Sequence, residues 1–172
     1  MQIWLISDTH FGHQNMYHFL REDGITRVRY QFPSCKEGDE FMVEKWNSLI
    51  KPSDHIYSLG DVAIRRQDLQ IIRKLNGHKR LIFGNHDIFD YKSYAEVGFK
   101  KMMGTRKFSN LILSHYPLHP SSIPCWCKAN VHGHIHEKKS PEGKYINISV
   151  EQTEYGPVAL EDIQKQANLM IL

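Results

Sequence analysis

The sequence predicts an α/β fold, in which a mixed system of β-strands is covered by a few helices. Short apolar runs of strand length recur along the chain, and two segments between them carry hydrophobic residues at helical spacing. The chain has 172 residues, with neither an internal repeat nor a linker-like segment. That length suits one domain with one core, so we expect residues 1–172 to form a single domain.

The first half alternates between predicted strands and predicted helices. Three continuous apolar runs are typical of strands covered on both faces, and they span residues 2–7, 55–59 and 79–83. Helical spacing predicts helices over residues 37–49 and 67–75. Residues 11–36 have mixed polarity and several Gly and Pro, which indicates an irregular connection with one short helix near residues 15–20.

The second half is predicted to consist mainly of strands. Five short runs are candidates, and they span residues 99–103, 105–108, 111–114, 130–132 and 145–150. Alternating strands and helices followed by further strands favour one mixed sheet system over separate units.

Composition excludes several classes of protein. The 22 Lys and Arg against 19 Asp and Glu give 22 − 19 = +3, which is too small to predict a nucleic-acid-binding face by itself. No apolar stretch reaches the length of a membrane span, and neither a secretory signal nor a membrane partner is expected. Walker-type loops, His-Glu-x-x-His and Gly-x-Ser-x-Gly are missing from the sequence, which disfavours motor NTPases, zinc proteases and serine hydrolases.

The three cysteines indicate a reducing compartment. Cys35, Cys125 and Cys127 are odd in number and form no Cys-x-x-Cys pair, so we expect free thiols and a cytoplasmic protein. Cys125-x-Cys127 near His132 could be imagined as a zinc site, but the spacing and the lack of a second pair favour incidental thiols.

Five polar clusters follow predicted strands at the points where those strands end. They are Asp8-x-His10, Gly60-Asp61, Gly84-Asn85-His86-Asp87, Ser114-His115 and Gly133-His134-x-His136. Ligands of α/β sheets bind beyond the carboxyl ends of the strands, and residues two apart at a strand end face the same side. Each cluster alone is weak evidence, but five in equivalent positions predict one functional site.

The order and spacing of these clusters closely resemble the signature of the calcineurin-like metallophosphoesterase superfamily. That signature is Asp-x-His, Gly-Asp, Gly-Asn-His-Asp/Glu, His and Gly-His-x-His, and every block is present between Ile3 and about Val150. The start of the chain, Ser7 to His13, is similar to the small bacterial and phage branch. The resemblance implies an αββα sandwich of two mixed sheets flanked by helices, and a metal-dependent phosphoric ester hydrolase.

The resemblance also implies which residues bind two metal ions. One ion would be held by Asp8, His10 and His136. The other would be held by Asn85, His115 and His134, and Asp61 would bridge both. Imidazole, carboxylate and amide donors suit divalent transition ions, so two such ions are expected, with Mn favoured over Fe, Zn, Co or Ni.

The expected mechanism uses water activated by the metals. Two divalent ions carry four positive charges against two carboxylates, Asp8 and Asp61, so the site stays cationic and attracts a phosphate ester. Two metals about 3.5–4 Å apart can bind phosphate oxygens and generate a bridging hydroxide as the nucleophile. His86, off the metals, would act as the acid.

Substrate and some residue roles stay open from sequence. Asn85, His86 and His13 are candidate substrate-binding residues, although His13 could instead cap the helix that follows it. Asp87 is interpreted as a helix cap or as a partner of a ligand histidine, with the cap preferred.

We expect a phosphodiesterase acting on a small, nucleotide-like phosphate ester, because so short a chain has little room for a cap over the site. A phosphomonoesterase is the alternative, and a catalytically silent binding scaffold is a weaker one. Nucleic acid as a substrate has no support from charge, and the sequence does not indicate the oligomeric state.

Overall fold

A computed structural model describes residues 1–170 of the chain. In those residues it contains nine strands, which are β1 (Ile3–Ile6), β2 (His55–Ser58), β3 (His78–Ile82), β4 (Phe99–Met103), β5 (Thr105–Phe108), β6 (Leu111–Ser114), β7 (Ala129–His132), β8 (Tyr145–Asn147) and β9 (Val158–Ala159). Its α-helices are α1 (Cys35–Leu49), α2 (Tyr91–Glu96) and α3 (Leu160–Leu169). Its 3-10 helices are Gln14–Tyr17, Arg66–Lys74, Pro120–Ser122 and Val150–Gln152.

The strands form two mixed sheets. The first sheet has the order β4-β3-β2-β1-β9, with β1 to β4 parallel and β9 antiparallel to β1. The second has the order β5-β6-β7-β8, with β6 to β8 parallel and β5 antiparallel to β6. The predicted α/β fold class with two mixed sheets is confirmed.

The two sheets share one buried apolar cluster. Leu5, Tyr57 and Ile82 come from the first sheet, and Leu113 and Val131 from the second. Helix α3 packs into the same cluster. Burying each such side chain stabilises the fold by roughly 1.5–3 kcal/mol, so this cluster fixes one sheet against the other.

The opposite face of the first sheet is covered by helices. Trp46 of α1, Ile72 of the 3-10 helix Arg66–Lys74 and Tyr94 of α2 belong to one buried cluster with Ile56 and Leu81 of the sheet. On the second sheet, Asn130 accepts a hydrogen bond from the backbone N–H of Leu118, and Tyr145 donates one to the Leu118 carbonyl. The loop that contains Leu118 therefore covers this part of the second sheet.

Several predicted boundaries differ from those observed. The last predicted strand, 145–150, ends at Asn147, because the Asn147 side chain accepts the N–H of Ser149 and Val150 starts a 3-10 turn. The helix predicted at 67–75 is a 3-10 helix, Arg66–Lys74. No helix within residues 1–170 has both the length and the apolar character needed to cross a bilayer.

Candidate metal centre

All five clusters meet at one edge of the two sheets. Potential ligand atoms of Asp8, His10 and His136 lie within 4.8 Å of one another, and so do those of Asp8, Asp61 and His115. The two groups share Asp8. They converge because the ligands follow the carboxyl ends of parallel strands. Asp8 and His10 follow β1, which is parallel to β2, the strand before Asp61. His115 follows β6, which is parallel to β7, the strand before His136.

The backbone is strained where these residues sit. Asp8, His10, Asp61, His134 and His136 have φ angles of 60°, 47°, 55°, 70° and 51°. Such values are uncommon for residues other than glycine, and each costs free energy that the surrounding structure must offset. Their concentration at the predicted ligands indicates that the fold holds these side chains in one required geometry.

His10 gives the strongest local sign of a metal ligand. Its side chain is 1% exposed, and within residues 1–170 neither ring nitrogen has a hydrogen-bond partner. Burial, aided by the charge of Arg29, lowers the pKa of His10 well below its usual range, so the ring is neutral. A buried polar group without a partner is costly, and a cation bound to a bare ring nitrogen would satisfy it. The donors present therefore fit a metal ion.

His115 is oriented by the backbone. Its Nδ1 lies 2.8 Å from the Leu59 carbonyl oxygen, which requires the proton on that nitrogen. Its bare Nε2 then faces Asn85 Oδ1 at 2.9 Å and Asp61 Oδ2 at 3.5 Å. Fixing the tautomer through the second nitrogen is how proteins commonly prepare a histidine to bind metal.

Asp61 lies between the two halves of the centre. Its Oδ2 is 3.5 Å from Nε2 of both His10 and His115, and its Oδ1 accepts the backbone N–H of His86 at 2.8 Å. Burial raises the pKa of Asp61, although the neighbouring His115 opposes this. The carboxylate is thus desolvated, and its Oδ2 atom faces one histidine from each group of potential ligands, His10 and His115.

His134 and His136 approach Asp8 from the second sheet. The backbone N–H of His134 donates to both Asp8 carboxylate oxygens, at 3.0 and 3.1 Å. Nδ1 of His136 lies 3.1 Å from Glu151 Oε2. Burial lowers the pKa of His136, but the hydrogen bond and charge of Glu151 outweigh it and raise the pKa. As with His115, the contact at Nδ1 leaves Nε2 of His136 available to bind a metal ion.

Two supporting residues, Arg29 and Glu151, were not predicted from the sequence. Arg29 Nε donates to Glu151 Oε1 at 2.9 Å, and both side chains are fully buried. The Arg29 guanidinium also donates to the carbonyls of Asp8 and Thr9 at 2.8 and 3.0 Å. Burial would raise the pKa of Glu151, yet Arg29 and the hydrogen bond with His136 lower it to about 2. No motif marks Arg29, which lies in the irregular segment of residues 11–36.

Asp87 has a role that differs from the preferred interpretation. Its Oδ2 accepts the backbone N–H groups of Asp61 and Gly84, both at 2.8 Å, and its Oδ1 accepts that of Val62 at 3.1 Å. The helix-cap interpretation is wrong, because the Asp90 side chain caps α2. Asp87 instead ties together the loops that follow β2 and β3.

Asn85, His86 and His13 lie on the open side of the centre. Asn85 and His86 are exposed, and the His86 ring centroid is 5.4 Å from that of His10. His13 precedes the 3-10 helix Gln14–Tyr17 but makes no capping hydrogen bond with its side chain, so that alternative is wrong. His13 and His86 instead line a cavity of about 370 Å³ beside the proposed ligands.

Cys125 and Cys127 do not belong to a group of potential metal ligands in residues 1–170. Cys125 is exposed, and the buried Cys127 thiol donates to the Ala129 carbonyl. Both ring nitrogens of His132 already have partners, the Gly133 carbonyl and the Ser140 hydroxyl. The groups of potential ligand atoms found in the described residues contain no cysteine.

The fold and this Asp-His centre are those of a metal-dependent phosphoester hydrolase. Residues 1–122 match the family model of the calcineurin-like phosphoesterases, and the chain belongs to that family. The family is metal-dependent, in agreement with the candidate Asp and His ligands described above.

Other proteins are similar over almost the whole chain. An uncharacterized protein of Methanocaldococcus jannaschii is 29% identical over 177 aligned positions, covering 95% of this chain and 90% of the relative. A crystal structure of a protein of unknown function from Aquifex aeolicus has a TM-score of 0.71 and 27% identity, covering 96% of this chain and 98% of that one. The structure of an archaeal phosphodiesterase shares the fold with a TM-score of 0.52 and 15% identity, covering 87% of this chain and 84% of that one.

Proposed function

We propose that this protein is a single-domain phosphodiesterase with two metal ions, acting on small, nucleotide-like phosphate esters. The observation that carries the proposal is the pair of ligand groups that share Asp8, with Asp61 Oδ2 at 3.5 Å from both His10 and His115. A single ion would not need ligands on both sides of one carboxylate. This arrangement supports two ions with Asp61 between them.

The residues divide into two ligand sets. Asp8, His10 and His136 would hold one ion, and Asn85, His115 and His134 the other, with Asp61 shared. The mixture of imidazole, carboxylate and amide donors favours Mn, with Fe, Zn, Co or Ni as alternatives, over Ca or Mg, which prefer oxygen ligands alone. When bound, a pair of divalent ions supplies Lewis acidity and lowers the pKa of water towards neutrality.

The protein's own side chains then orient and protonate the substrate. Asn85 and His86 are exposed on the side from which a phosphate ester would enter. His86 is proposed to donate a proton to the leaving oxygen, because it lies beside the ligands without belonging to them. Asp8 and Asp61 stay desolvated, which strengthens their electrostatic interactions in the centre.

A diester is favoured over a monoester for two reasons. The cavity beside the centre is lined by Phe19, whose side chain is 49% exposed, so the second organic group of a diester can extend from the centre towards solvent. The archaeal neighbour is a phosphodiesterase, which supports the proposal by analogy of fold alone.

A phosphomonoesterase remains the second candidate. A silent scaffold is disfavoured because every ligand position of the signature is kept. The proposal includes a cytoplasmic location.

The test combines metal content with hydrolysis. Purified protein loaded with Mn should contain two equivalents of metal and should hydrolyse bis(p-nitrophenyl) phosphate faster than p-nitrophenyl phosphate. Chelation should abolish hydrolysis, and added Mn should restore it. His10→Ala should lose both metal and activity, whereas His55→Ala, at the opposite end of the parallel strands, should keep both.

Other results would redirect the proposal. A strong preference for the monoester would identify a phosphatase. If the protein neither binds metal nor hydrolyses either ester, the binding scaffold is the interpretation that is left.

A further inference from the structure

A short hairpin, residues 19–28, stands beside the metal centre, within the segment of residues 11–36 that the sequence predicts to be an irregular connection. Leu20 and Arg27 form an antiparallel bridge, and the N–H of Val28 donates to the Phe19 carbonyl at 2.9 Å. The Asp23 carboxylate closes the turn by accepting the N–H groups of Ile25 and Thr26. These contacts give the hairpin a defined conformation.

The hairpin and the loop after β7 form the walls of the cavity that reaches the centre. Its inner side is lined by proposed metal ligands, among them His10 and His136. Its outer side is apolar and is lined by Met16, Phe19, Val28 and Ile135. Its volume of about 370 Å³ is within the range of small-molecule sites. A molecule bound here would touch both the centre and the apolar wall.

The aromatic part of this wall is available for stacking. Phe19 is 49% exposed, and its ring meets His13 edge to face, with centroids 6.0 Å apart and an interplanar angle of 83°. His13 Nδ1 is buried and has no hydrogen-bond partner among residues 1–170. One ring with an open face and one polar atom without a partner suit a flat, heteroatom-bearing group.

Charge at the rim argues against a second anionic group in this cavity. Lys138 lies at the rim, and its Nζ is 3.8 Å from a carboxylate oxygen of Glu22 on the hairpin. Glu137 also lines the cavity. One cation set against two carboxylates gives the rim no surplus positive charge, so a neutral substituent is favoured over a further phosphate.

We propose that this cavity binds the nucleobase, or an equivalent aromatic substituent, of the phosphate ester held at the metal centre, with the base stacked on Phe19. The inference rests on the proposed function, because the phosphate anchors the substituent. It makes Phe19 a residue that determines which ester is preferred. The inference adds no chemical step to the proposed hydrolysis of the phosphate ester.

Two ligands that differ only by the base test this assignment. Thymidine 5′-monophosphate and 2-deoxyribose 5-phosphate are titrated by calorimetry into the Mn-loaded protein. We expect the nucleotide to bind about tenfold more tightly or better, the scale of base stacking on an aromatic side chain. Phe19→Ala should bring the two affinities together, and Phe19→Tyr should keep them apart.

Two further variants separate stacking from other effects. Phe19→Leu keeps apolar bulk but has no ring, so it should also lose most of the preference, even if Phe19→Ala folds poorly. Ile25→Ala, at a hairpin side chain that is 83% exposed, should retain the preference. Phenyl phosphate compared with cyclohexyl phosphate then tests whether any aromatic group suffices.

The outcomes separate this inference from the proposed function. The inference is overturned if the unmodified protein binds the two ligands with equal affinity or binds neither of them. Hydrolysis of bis(p-nitrophenyl) phosphate in the same preparation would leave the proposed function intact. If hydrolysis fails but the base preference is found and disappears in Phe19→Leu, the cavity is assigned and the diesterase proposal falls.

Discussion

At the scale of single residues, His86 differs from the histidines around it. It is exposed and near His10, and its backbone N–H binds Asp61. We expect His86→Ala to keep its metal, because a ligand is not removed, and to lose about a hundredfold or more in kcat, the effect of removing a general acid. Metal analysis and steady-state kinetics measure the two effects separately.

His78→Ala is the matched control for His86→Ala. His78 is an exposed histidine at the start of β3, the strand whose other end leads to His86. It should keep both metal and turnover. An unchanged kcat in His86→Ala would remove that residue from the mechanism.

Gly133 is a residue at which no side chain fits. A Cβ atom built there would overlap Ser7 Oγ and Asp8 Oδ2. Gly133→Ala should therefore displace Asp8 and reduce metal binding, as measured by metal content after dialysis. Gly104→Ala is the control, because a Cβ at Gly104 meets nothing within 4 Å. Equal metal content in the two variants would contradict the prediction.

The predicted ligands and the supporting residues differ in what a sequence can reveal. Asp8 and His10 could be predicted because they directly follow a recognisable strand and belong to a motif. Arg29 and Glu151 could not, because they lie 122 positions apart and only the fold makes them a pair. The role of Asp87 was predicted wrongly because two of the backbone N–H groups that it binds, those of Asp61 and Val62, belong to another loop.

At the scale of elements, helix α1 carries a buried acid near its first turns. Asp39 is 8% exposed, and its Oδ2 accepts the N–H of Gly12 at 2.8 Å. Its Oδ1 has no partner within the described residues. Burial outweighs the favourable contacts and raises the pKa of Asp39 to about 6. The ionised form is therefore disfavoured in the folded protein.

This shift predicts a pH-dependent effect of Asp39→Asn. Because the folded pKa exceeds the unfolded value of 3.8, the unsubstituted protein loses stability as the pH rises from about 4 to about 6. Asp39→Asn lacks this loss, so relative to the unsubstituted protein it should gain about 1–3 kcal/mol in free energy of unfolding between pH 4 and pH 7. Urea unfolding at both pH values measures the gain.

An exposed acid on the same helix provides the reference. Glu40→Gln, on the solvent side of α1, should show a much smaller dependence on pH. A gain for Asp39→Asn that is the same at both pH values would contradict the assigned pKa.

The elements themselves were predicted to different degrees. Helix α1 starts two residues before the predicted position, because Ser34 caps it by accepting the N–H of Glu37, a signal visible as Ser34-x-x-Glu37. Helices α2 and α3 and strand β9 were missed. Helix α2 has only six residues and β9 only two, which is too short for periodicity to be recognised.

At the scale of the whole molecule, Arg29 connects segments that are far apart in the chain. It holds the carbonyls after β1 and the carboxylate of Glu151, which in turn contacts His136. Arg29→Met would leave the Glu151 carboxylate buried without its cation, so the free energy of unfolding should fall by about 3–5 kcal/mol. Denaturant unfolding of the metal-free protein measures this effect.

Two further variants test that explanation. Arg27→Met, at an exposed arginine two positions earlier, should have little effect. Adding Glu151→Gln to Arg29→Met should recover part of the loss, because the unpaired charge is then removed. No recovery in the double variant would indicate that packing, rather than charge, is lost.

The sequence by itself determined eight of the nine strands in residues 1–170, the order of the clusters and the types of donor atom, because these depend on local periodicity and on motifs a few residues long. Only the tertiary structure decided which atoms approach one another. It set Asp61 between His10 and His115, buried Arg29 against Glu151, and made a cavity between residues 19–28 and the loop after β7. Desolvation and contact geometry arise from segments that are distant in the chain, and no local pattern encodes them.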